Sequence, residues 1–201
     1  MAEYQWILHW SLAVLVLLLI GISMWRYFKP DSEKLFARTI KRISKYVMHN
    51  VIIPDAVEGS SYIDWLVLTP RGILVLSQKP YSGMIFAAEN ISQWTQVIGR
   101  RSYTFNNPLQ QLEVDVVTIK SLIPNAPVKG YVVFDQDSHF PKGKPNKALT
   151  LKEVKQNISV LKEGKITPEL KEFWDKLCTV LKEAKKTPQV SELGVSTNPV
   201  K

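Results

Sequence analysis

Tyr62–Gly83 reads YIDWLVLTPRGILVLSQKPYSG and organises the rest of the chain. Residues 62–69 and residues 72–79 are two short runs rich in β-branched and aromatic side chains, which favour strands. The dipeptide Pro70-Arg71 separates the two runs and is typical of a turn. The pattern therefore predicts a β-hairpin.

The predicted hairpin places several polar side chains near one another. Successive side chains of a strand point to opposite faces, so Ser77 and Lys79 share one face while Gln78 points to the other. Asp64 on the first strand reaches the Ser77/Lys79 face if the two strands pair. The hairpin therefore predicts a small polar cluster at one end of the sheet.

The composition indicates one globular domain with additional segments. A chain of 201 residues is long enough to bury a hydrophobic core. Its single cysteine, Cys178, excludes an intramolecular disulfide and fits a reducing compartment. We expect Cys178 to pack as a small apolar residue in a helix. The formal net charge of +8 favours contact with phosphates or with anionic lipid, without distinguishing the two.

The N-terminal region is strongly apolar. Residues 6–25 read WILHWSLAVLVLLLIGISMW and contain no Asp, Glu, Lys or Arg. A helix of this length is about 30 Å long, which is the thickness of a bilayer core. Trp6 and Trp25 stand at its two ends, where interfacial aromatic residues are expected. We predict a tail over residues 1–5 and an uncleaved transmembrane helix over residues 6–28, since a signal peptide needs a basic start and a small-residue cleavage site.

Basic residues flank only one end of this segment. Arg26, Lys29, Lys34 and Arg38 follow it, whereas the N-terminal tail has no Lys or Arg. The positive-inside rule then places the N-terminus outside and the following domain in the cytoplasm. We expect a single-pass protein of the bacterial inner membrane with the lipid bilayer as a partner.

The remaining pattern predicts an α+β fold, a mixed sheet flanked by helices. Amphipathic spacing predicts helices, over residues 31–45, 109–122, 151–161 and 168–186. Apolar or alternating runs predict strands beside the central hairpin, at residues 46–53, 84–87, 92–100, 102–105 and 128–134. Residues 135–147 read as a basic loop. The mixed, aperiodic residues 187–201 are expected to be disordered.

Several separate pieces of the sequence carry a family resemblance. They are IDWLVLTPRGILVLSQKPYSGMI at 63–85, WTQ at 94–96, YTFNNPLQQ at 103–111 and GYVVF at 130–134. In this order and spacing they resemble the nuclease-related domain family (NERD), a distant relative of the PD-(D/E)xK nucleases. The resemblance implies a restriction-endonuclease-like core over residues 31–151, with residues 152–186 as C-terminal helices packed on it.

The resemblance also implies a metal-dependent site with one departure. In the family the hairpin supplies an Asp and then Glu-x-Lys; Asp64 matches the Asp and Lys79 the Lys, but Ser77 stands in the place of the Glu. Phosphodiester cleavage needs carboxylates to hold Mg²⁺, so the loss of one weakens the expected metal site. Asp64 and Lys79 then either form a residual phosphate-binding site or remain as a salt bridge.

Two further residues match family positions. Ser32-Glu33 stands where the family has Gly-Glu, so Glu33 is either a second Mg²⁺ ligand beside Asp64 or an ordinary first-turn acid favoured by the helix dipole. Gln111 matches a glutamine at the edge of the family's site, and its alternative is a solvated helix side chain.

Basic and aromatic residues interleave elsewhere in the domain. Cations neutralise phosphates and aromatic rings stack on unpaired bases, which makes candidates of Arg71, Arg100, Arg101, Lys142 and Lys144, with Trp65, Trp94 and Tyr103. The alternative is a domain core with charged turns.

The sequence leads to one main hypothesis for function and two alternatives. The first is a membrane-anchored, catalytically degenerate nuclease-related domain that binds DNA or RNA. The second keeps a weak Mg²⁺-dependent nuclease that hydrolyses DNA phosphodiesters. The third is a membrane scaffold that recruits protein partners.

Overall fold

The computed structural model describes residues 14–20, 32–53 and 61–186. Residues 14–20 are helical and their apolar side chains are exposed. Most of the predicted transmembrane helix (6–28), the tail of residues 1–5 and the predicted disordered tail (187–201) lie outside the described residues. Within the three described ranges, no helix is both long and apolar enough to cross a membrane. The chain divides into two compact units, Met1–Leu35 and Phe36–Lys201, and the sheets belong to the second.

The described chain contains both helices and strands, as predicted. The helices are α1 (Ser32–Ile43), α2 (Pro108–Leu122), α3 (Leu151–Gln156), α4 (Ile158–Lys162) and α5 (Pro168–Lys186). The strands are β1 (Val47–Ile53), β2 (Ser61–Thr69), β3 (Gly72–Lys79), β4 (Gly83–Phe86), β5 (Gln93–Ile98), β6 (Arg101–Asn106), β7 (Val128–Phe134), β8 (Ser138–His139) and β9 (Ala148–Thr150).

The larger sheet has five strands in the order β1-β2-β3-β7-β9. The first three pair antiparallel, whereas β7 and β9 add in parallel to β3. The predicted mixed sheet is therefore confirmed. Because β3, β7 and β9 run in one direction, their C-terminal residues, Lys79, Phe134 and Thr150, lie at the same edge.

The turn between β2 and β3 requires a glycine. Gly72 has φ +120°, a conformation that side chains with a Cβ rarely adopt, and an added Cβ would lie 2.2 Å from the carbonyl oxygen of Pro127. The hydroxyl of Thr69 donates to the Gly72 carbonyl oxygen over 2.8 Å, and Ile73 N donates to Pro127 O over 2.8 Å. The predicted hairpin is thus joined to the start of β7.

Helices cover both faces of the larger sheet. On one face, the ring of Phe36 from α1 lies 5.6 Å from that of Trp65 on β2. On the other face, Leu112 and Val116 of α2 close over Gly130 of β7, where a Cβ would lie 3.0 Å or less from their side chains. The absence of a side chain at Gly130 therefore lets α2 pack directly on the sheet.

The helix α5 packs near β1 on the face that α2 covers. Cys178 Sγ lies 3.9 Å from the sulfur of Met48, which pairs with Leu66 and so belongs to that face. Cys178 is half-buried, and burial raises the pKa of its thiol. Its expected role as a packed helix residue agrees with this position.

The smaller sheet has the order β6-β5-β4-β8, with β8 parallel to β4. It is joined to the end of β7 by an aromatic cluster, which comprises Tyr81, Trp94, Phe105, Phe134 and Phe140. Phe134 is central, because the rings of the other four lie between 5.4 and 6.5 Å from it. The smaller sheet is therefore attached at the C-terminal edge of the parallel strands.

The helix predicted over residues 151–161 is instead two short helices, α3 and α4. The side-chain amide of Asn157 donates to the Glu153 carbonyl oxygen over 2.8 Å, and its backbone N–H reaches the carbonyls of Glu153 and Val154. A local side-chain bond of this kind competes with helix continuation. The predicted loop 135–147 also contains β8, a two-residue strand.

We expect replacement of Gly72 by alanine to destabilise the domain far more than the same replacement at Gly99. Both glycines have positive φ, but Gly99 has open space around its Cα. Gly99→Ala should lower the free energy of unfolding by about 1 kcal/mol, the cost of the left-handed backbone alone. Gly72→Ala should lower it by about 3 kcal/mol or more, since the clash with Pro127 is added. Urea denaturation measures both, and equal losses would contradict the close approach.

Candidate nucleic-acid interface

The polar cluster predicted at the hairpin forms around Asp64. Its Oδ2 accepts one hydrogen bond from the Ser77 hydroxyl over 3.3 Å and another from the Gln78 backbone N–H over 2.7 Å. The Gln78 side chain points to the opposite face and accepts from Trp65 Nε1 over 3.2 Å. The predicted alternation along β3 is therefore confirmed, and Asp64 is held across the hairpin by neutral donors.

Lys79 lies two residues beyond Ser77, half-buried at the last position of β3. In the register of the sheet it pairs with Phe134. Among the described residues no ion pair joins Lys79 to Asp64. The salt-bridge interpretation of these two residues is therefore wrong for this arrangement, because Asp64 bonds to Ser77 and Gln78 instead.

Mg²⁺ fits this cluster poorly. Asp64 contributes one carboxylate, and the neighbouring Ser77 contributes only a neutral hydroxyl, whereas Mg²⁺ prefers hard, charged oxygen ligands. In the described ranges there is no group of three or more His, Cys, Asp or Glu side chains that could hold a metal. The other predicted ligand, Glu33, lies exposed in the first turn of α1, in the unit Met1–Leu35.

Gln111 lies on α2 and contacts a carboxylate that the sequence analysis missed. Its Nε2 donates to Oδ1 of Asp115 over 2.9 Å, and Asp115 is only 3% exposed. The sequence signal was an acid within the helix face that carries Leu112 and Ile119. Since α2 packs along β7 and leads into its start, the N-terminal turn with Gln111 points toward the C-terminal edge of the sheet.

The first turn of α2 is fixed by a structural residue. The buried Asn107 caps the helix by accepting from Leu109 N over 3.0 Å, while its Nδ2 donates to the carbonyls of Glu89 and Ile91 over 3.0 and 2.8 Å. Asn107 thereby ties α2 to the loop before β5. Its bonding leaves it no role on the surface.

Two of the predicted nucleic-acid contacts are engaged in the fold. Arg71 forms an ion pair with Glu163 over 3.0 Å at the start of β3, about 25 Å from Lys79 by strand length. Lys144 pairs with Glu153 over 3.2 Å and also donates to the Ala148 carbonyl. These two cations stabilise local structure, so they are poorly placed for a shared binding surface.

Glu153 is held by more than Lys144. Partial burial raises the pKa of its carboxyl group, but hydrogen bonds from Thr150 and the ion pair with Lys144 outweigh burial and lower it overall. Thr150 and Glu153 form a capping box, with Thr150 N donating to Glu153 Oε2 over 2.7 Å. The ionised Glu153 therefore fixes the start of α3.

The other predicted basic contacts remain on the surface. Arg100 and Arg101 are exposed at the turn between β5 and β6. Lys142 is exposed and its Nζ lies 5.8 Å from the centre of the Phe86 ring. Gly83, four residues after Lys79, packs against Val97 and Ile98 at the end of β5. The turn between β5 and β6 therefore lies near the segment that follows Lys79.

Only one of the three candidate stacking rings is accessible. Trp65 and Trp94 are 7% and 0% exposed, so the hypothesis that they stack on bases is wrong; both pack in the core. Tyr103 is 46% exposed. It shares a face of β6 with Arg101, since the two are separated by one residue.

Comparison with known proteins agrees with the resemblance. Residues 31–135, just over half of the chain, match the family model described as the nuclease-related domain. An uncharacterized protein of Bacillus anthracis is 34% identical over 94 residues, which cover 45% of this chain and 44% of that protein. The chain thus spans less than half the length of that relative, and no solved structure gives a significant match. The chain belongs to the nuclease-related domain family.

Proposed function

We propose that this protein is a membrane-anchored, catalytically degenerate nuclease-related domain that binds nucleic acid. The observation that carries the proposal is the bonding of Asp64. Its carboxylate is held by the Ser77 hydroxyl and the Gln78 N–H, at the place where the family has a second carboxylate. The hairpin thus keeps the Asp and its position across from residue 77, but it lacks the second carboxylate that metal binding needs.

A restriction-endonuclease-like core is part of this proposal. The support comes from a central hairpin that presents Asp64, Ser77 and Lys79 on one face of a mixed sheet, with helices on both faces. The smaller sheet follows Lys79 along the chain and is attached at the same edge through the aromatic cluster around Phe134. A nuclease ancestry explains why polar residues gather at this edge, whereas a sheet that served only as a scaffold has no need of them.

The binding surface we propose combines Lys79 with the turn between β5 and β6. Arg100 and Arg101 are exposed cations that neutralise phosphates, and Tyr103 offers an exposed ring for stacking on a base. All of them lie on the side of the sheet where β3 ends. Arg71, in contrast, lies at the opposite end and is paired with Glu163.

This surface predicts salt-dependent binding of single-stranded DNA by the full chain in detergent. Replacing Arg100 and Arg101 together by serine should reduce the slope of log affinity against log salt by about 1.4, because two phosphate contacts are lost. Tyr103→Ser should weaken binding about tenfold through lost stacking. Fluorescence anisotropy over a range of salt concentrations measures both effects.

The matched control for these variants is Arg71→Ser, which removes an exposed arginine from the other end of the sheet. We expect it to leave both affinity and salt slope unchanged. Absence of DNA and RNA binding at low salt would overturn the proposal and favour the membrane scaffold. If Arg71→Ser weakened DNA binding as much as the replacement of Arg100 and Arg101, the total charge of the protein would explain the binding and the proposed surface would be rejected.

The degenerate centre should be repairable by one substitution. Ser77→Glu places a second carboxylate beside Asp64, so Mg²⁺ at ten times its Kd should stabilise this variant by about 1.4 kcal/mol. Wild type should show a much smaller change in melting temperature. We also expect Mg²⁺-dependent cleavage of DNA by Ser77→Glu and none by Asp64→Ala/Ser77→Glu.

The second candidate function is a weak Mg²⁺-dependent nuclease. Asp64 Oδ1 accepts no hydrogen bond from the described residues, so this oxygen is available to bind Mg²⁺. The same cleavage assay separates the two. Mg²⁺-dependent cleavage by wild type that disappears in Asp64→Ala would establish the weak nuclease and overturn degeneracy.

Membrane anchoring through residues 6–28 completes the proposal. The apolar composition of residues 6–25 and the basic residues that follow them support a single span with a cytoplasmic C-terminal domain. A topology reporter fused after Lys201 should report the cytoplasm, and removal of residues 1–30 should move the protein from the membrane to the soluble fraction. A periplasmic signal would reverse the orientation, and a soluble full-length protein would exclude the anchor.

A further inference from the structure

A second polar site lies apart from Asp64, in a cleft beside β8 and α3, here called the α3 cleft. Its volume is about 480 Å³, within the range of pockets that hold small ligands. Every lining side chain is polar or charged, and the lining residues are Gln136, Asp137, His139, Lys152, Lys155 and Gln156. A cleft whose six lining residues all carry a polar or charged group is suited to a hydrophilic ligand.

The position of the α3 cleft follows from the parallel strands. Gln136 stands two residues after the end of β7, and Lys152 two residues after the end of β9. Loops at the carboxyl ends of parallel strands are the usual place for ligands in open α/β sheets. The α3 cleft therefore occupies the C-terminal edge of the sheet, at which β3 also ends.

The walls of the cleft are well anchored. Gly83 N donates to the Asp137 carbonyl over 3.1 Å, and the Ser138 hydroxyl donates to the Tyr81 carbonyl over 2.5 Å. On the other side, α3 begins at the capping box of Thr150 and Glu153. The backbone segments that carry the lining residues are therefore attached to a sheet and to a capped helix, and a backbone arranged before a ligand arrives lowers the cost of binding.

The lysines of the cleft differ from three other lysines that the structure describes. Lys144, Lys147 and Lys171 are each paired with a carboxylate. Lys155 instead donates to the neutral Oε1 of Gln136 over 2.9 Å, and neither Lys155 nor Lys152 forms an ion pair with a described residue. Gln136 thus orients an ammonium group without neutralising it.

We infer that the α3 cleft binds the phosphate group of a nucleotide, either free or at the end of a nucleic-acid strand. Lys152, Lys155 and His139 supply donors for the phosphate oxygens, and hydrogen bonds to an ionised acceptor are the stronger kind. Asp137 and Gln156 add acceptors that inorganic phosphate does not use. These acceptors suit the hydroxyl and amino groups of a nucleoside.

The inference stands on the cleft alone and does not require the surface around Lys79. Isothermal titration of the full chain in detergent, at fixed ionic strength, compares inorganic phosphate, a nucleoside monophosphate and the corresponding nucleoside. We expect the monophosphate to bind at least tenfold more tightly than either of the others. Equal binding of nucleoside and monophosphate, or no binding of the monophosphate, would overturn the inference.

Variants locate the site. Lys152→Ser and Lys155→Ser should each weaken binding of the monophosphate about tenfold, whereas Lys129→Ser should not change it. Lys129 is also exposed, but it lies near the start of β7, at the opposite edge of the sheet. Circular dichroism melting confirms that each variant is folded. A loss caused equally by Lys129→Ser would assign the effect to overall charge and reject the cleft.

Oligonucleotides identify the source of the phosphate and separate this inference from the proposed function. If the α3 cleft binds a strand end, a 5′-phosphorylated oligonucleotide should lose affinity in Lys155→Ser and its unphosphorylated form should not. If it takes free nucleotides, Lys155→Ser should affect only the monophosphate. The double replacement of Arg100 and Arg101 should leave monophosphate binding intact, so either site can fail while the other holds.

Discussion

The parallel pairing of β3 with β7 is the interaction on which the other features of the domain depend. It sets Lys79 beside Phe134, so the end of the hairpin meets the centre of the aromatic cluster. The smaller sheet is attached through that cluster. This pairing and the pairing of β7 with β9 together align the C-terminal ends of three parallel strands. Lys79 and the α3 cleft lie at those ends, whereas Arg100, Arg101 and Tyr103 belong to the hairpin of β5 and β6 in the smaller sheet. Gly72 allows the start of this pairing, because it admits the Pro127 carbonyl that a Cβ would exclude, and Gly130 admits the side chains of α2 onto β7.

Charged residues in this domain fall into two groups according to their partners. Arg71, Lys144, Lys147 and Lys171 each meet a carboxylate, and their attraction contributes to local structure more than to an external field. Arg100, Arg101, Lys152 and Lys155 have no such partner among the described residues. These cations surround the C-terminal edge of the larger sheet. An anionic ligand would therefore meet cations that no ion pair with a described residue neutralises, both at the proposed surface around Lys79 and in the α3 cleft.

Most of the secondary structure followed from local patterns. The hairpin, the mixed sheet and the helices α1, α2 and α5 obey hydrophobic periodicity and turn chemistry, and the opposite orientations of Ser77 and Gln78 follow from strand alternation. The errors came from partners distant in sequence. Trp65 and Trp94 were candidates for stacking because composition does not reveal burial. Arg71 was a candidate for phosphate binding, but it is paired with Glu163, a residue 92 positions away. Asp115 was missed because one acid in an apolar helix face carries little signal.

The family, the strand-turn-strand unit and the replacement of the expected glutamate by Ser77 can all be read from the amino-acid sequence, since each is a matter of residue identity and spacing along the chain. The partners of Asp64, the neutralised cations and the position of the α3 cleft become visible only in the folded domain. These properties depend on distances between side chains separated by many residues. Such distances are set by the packing of the whole domain, whereas a sequence pattern describes only residues that are close along the chain.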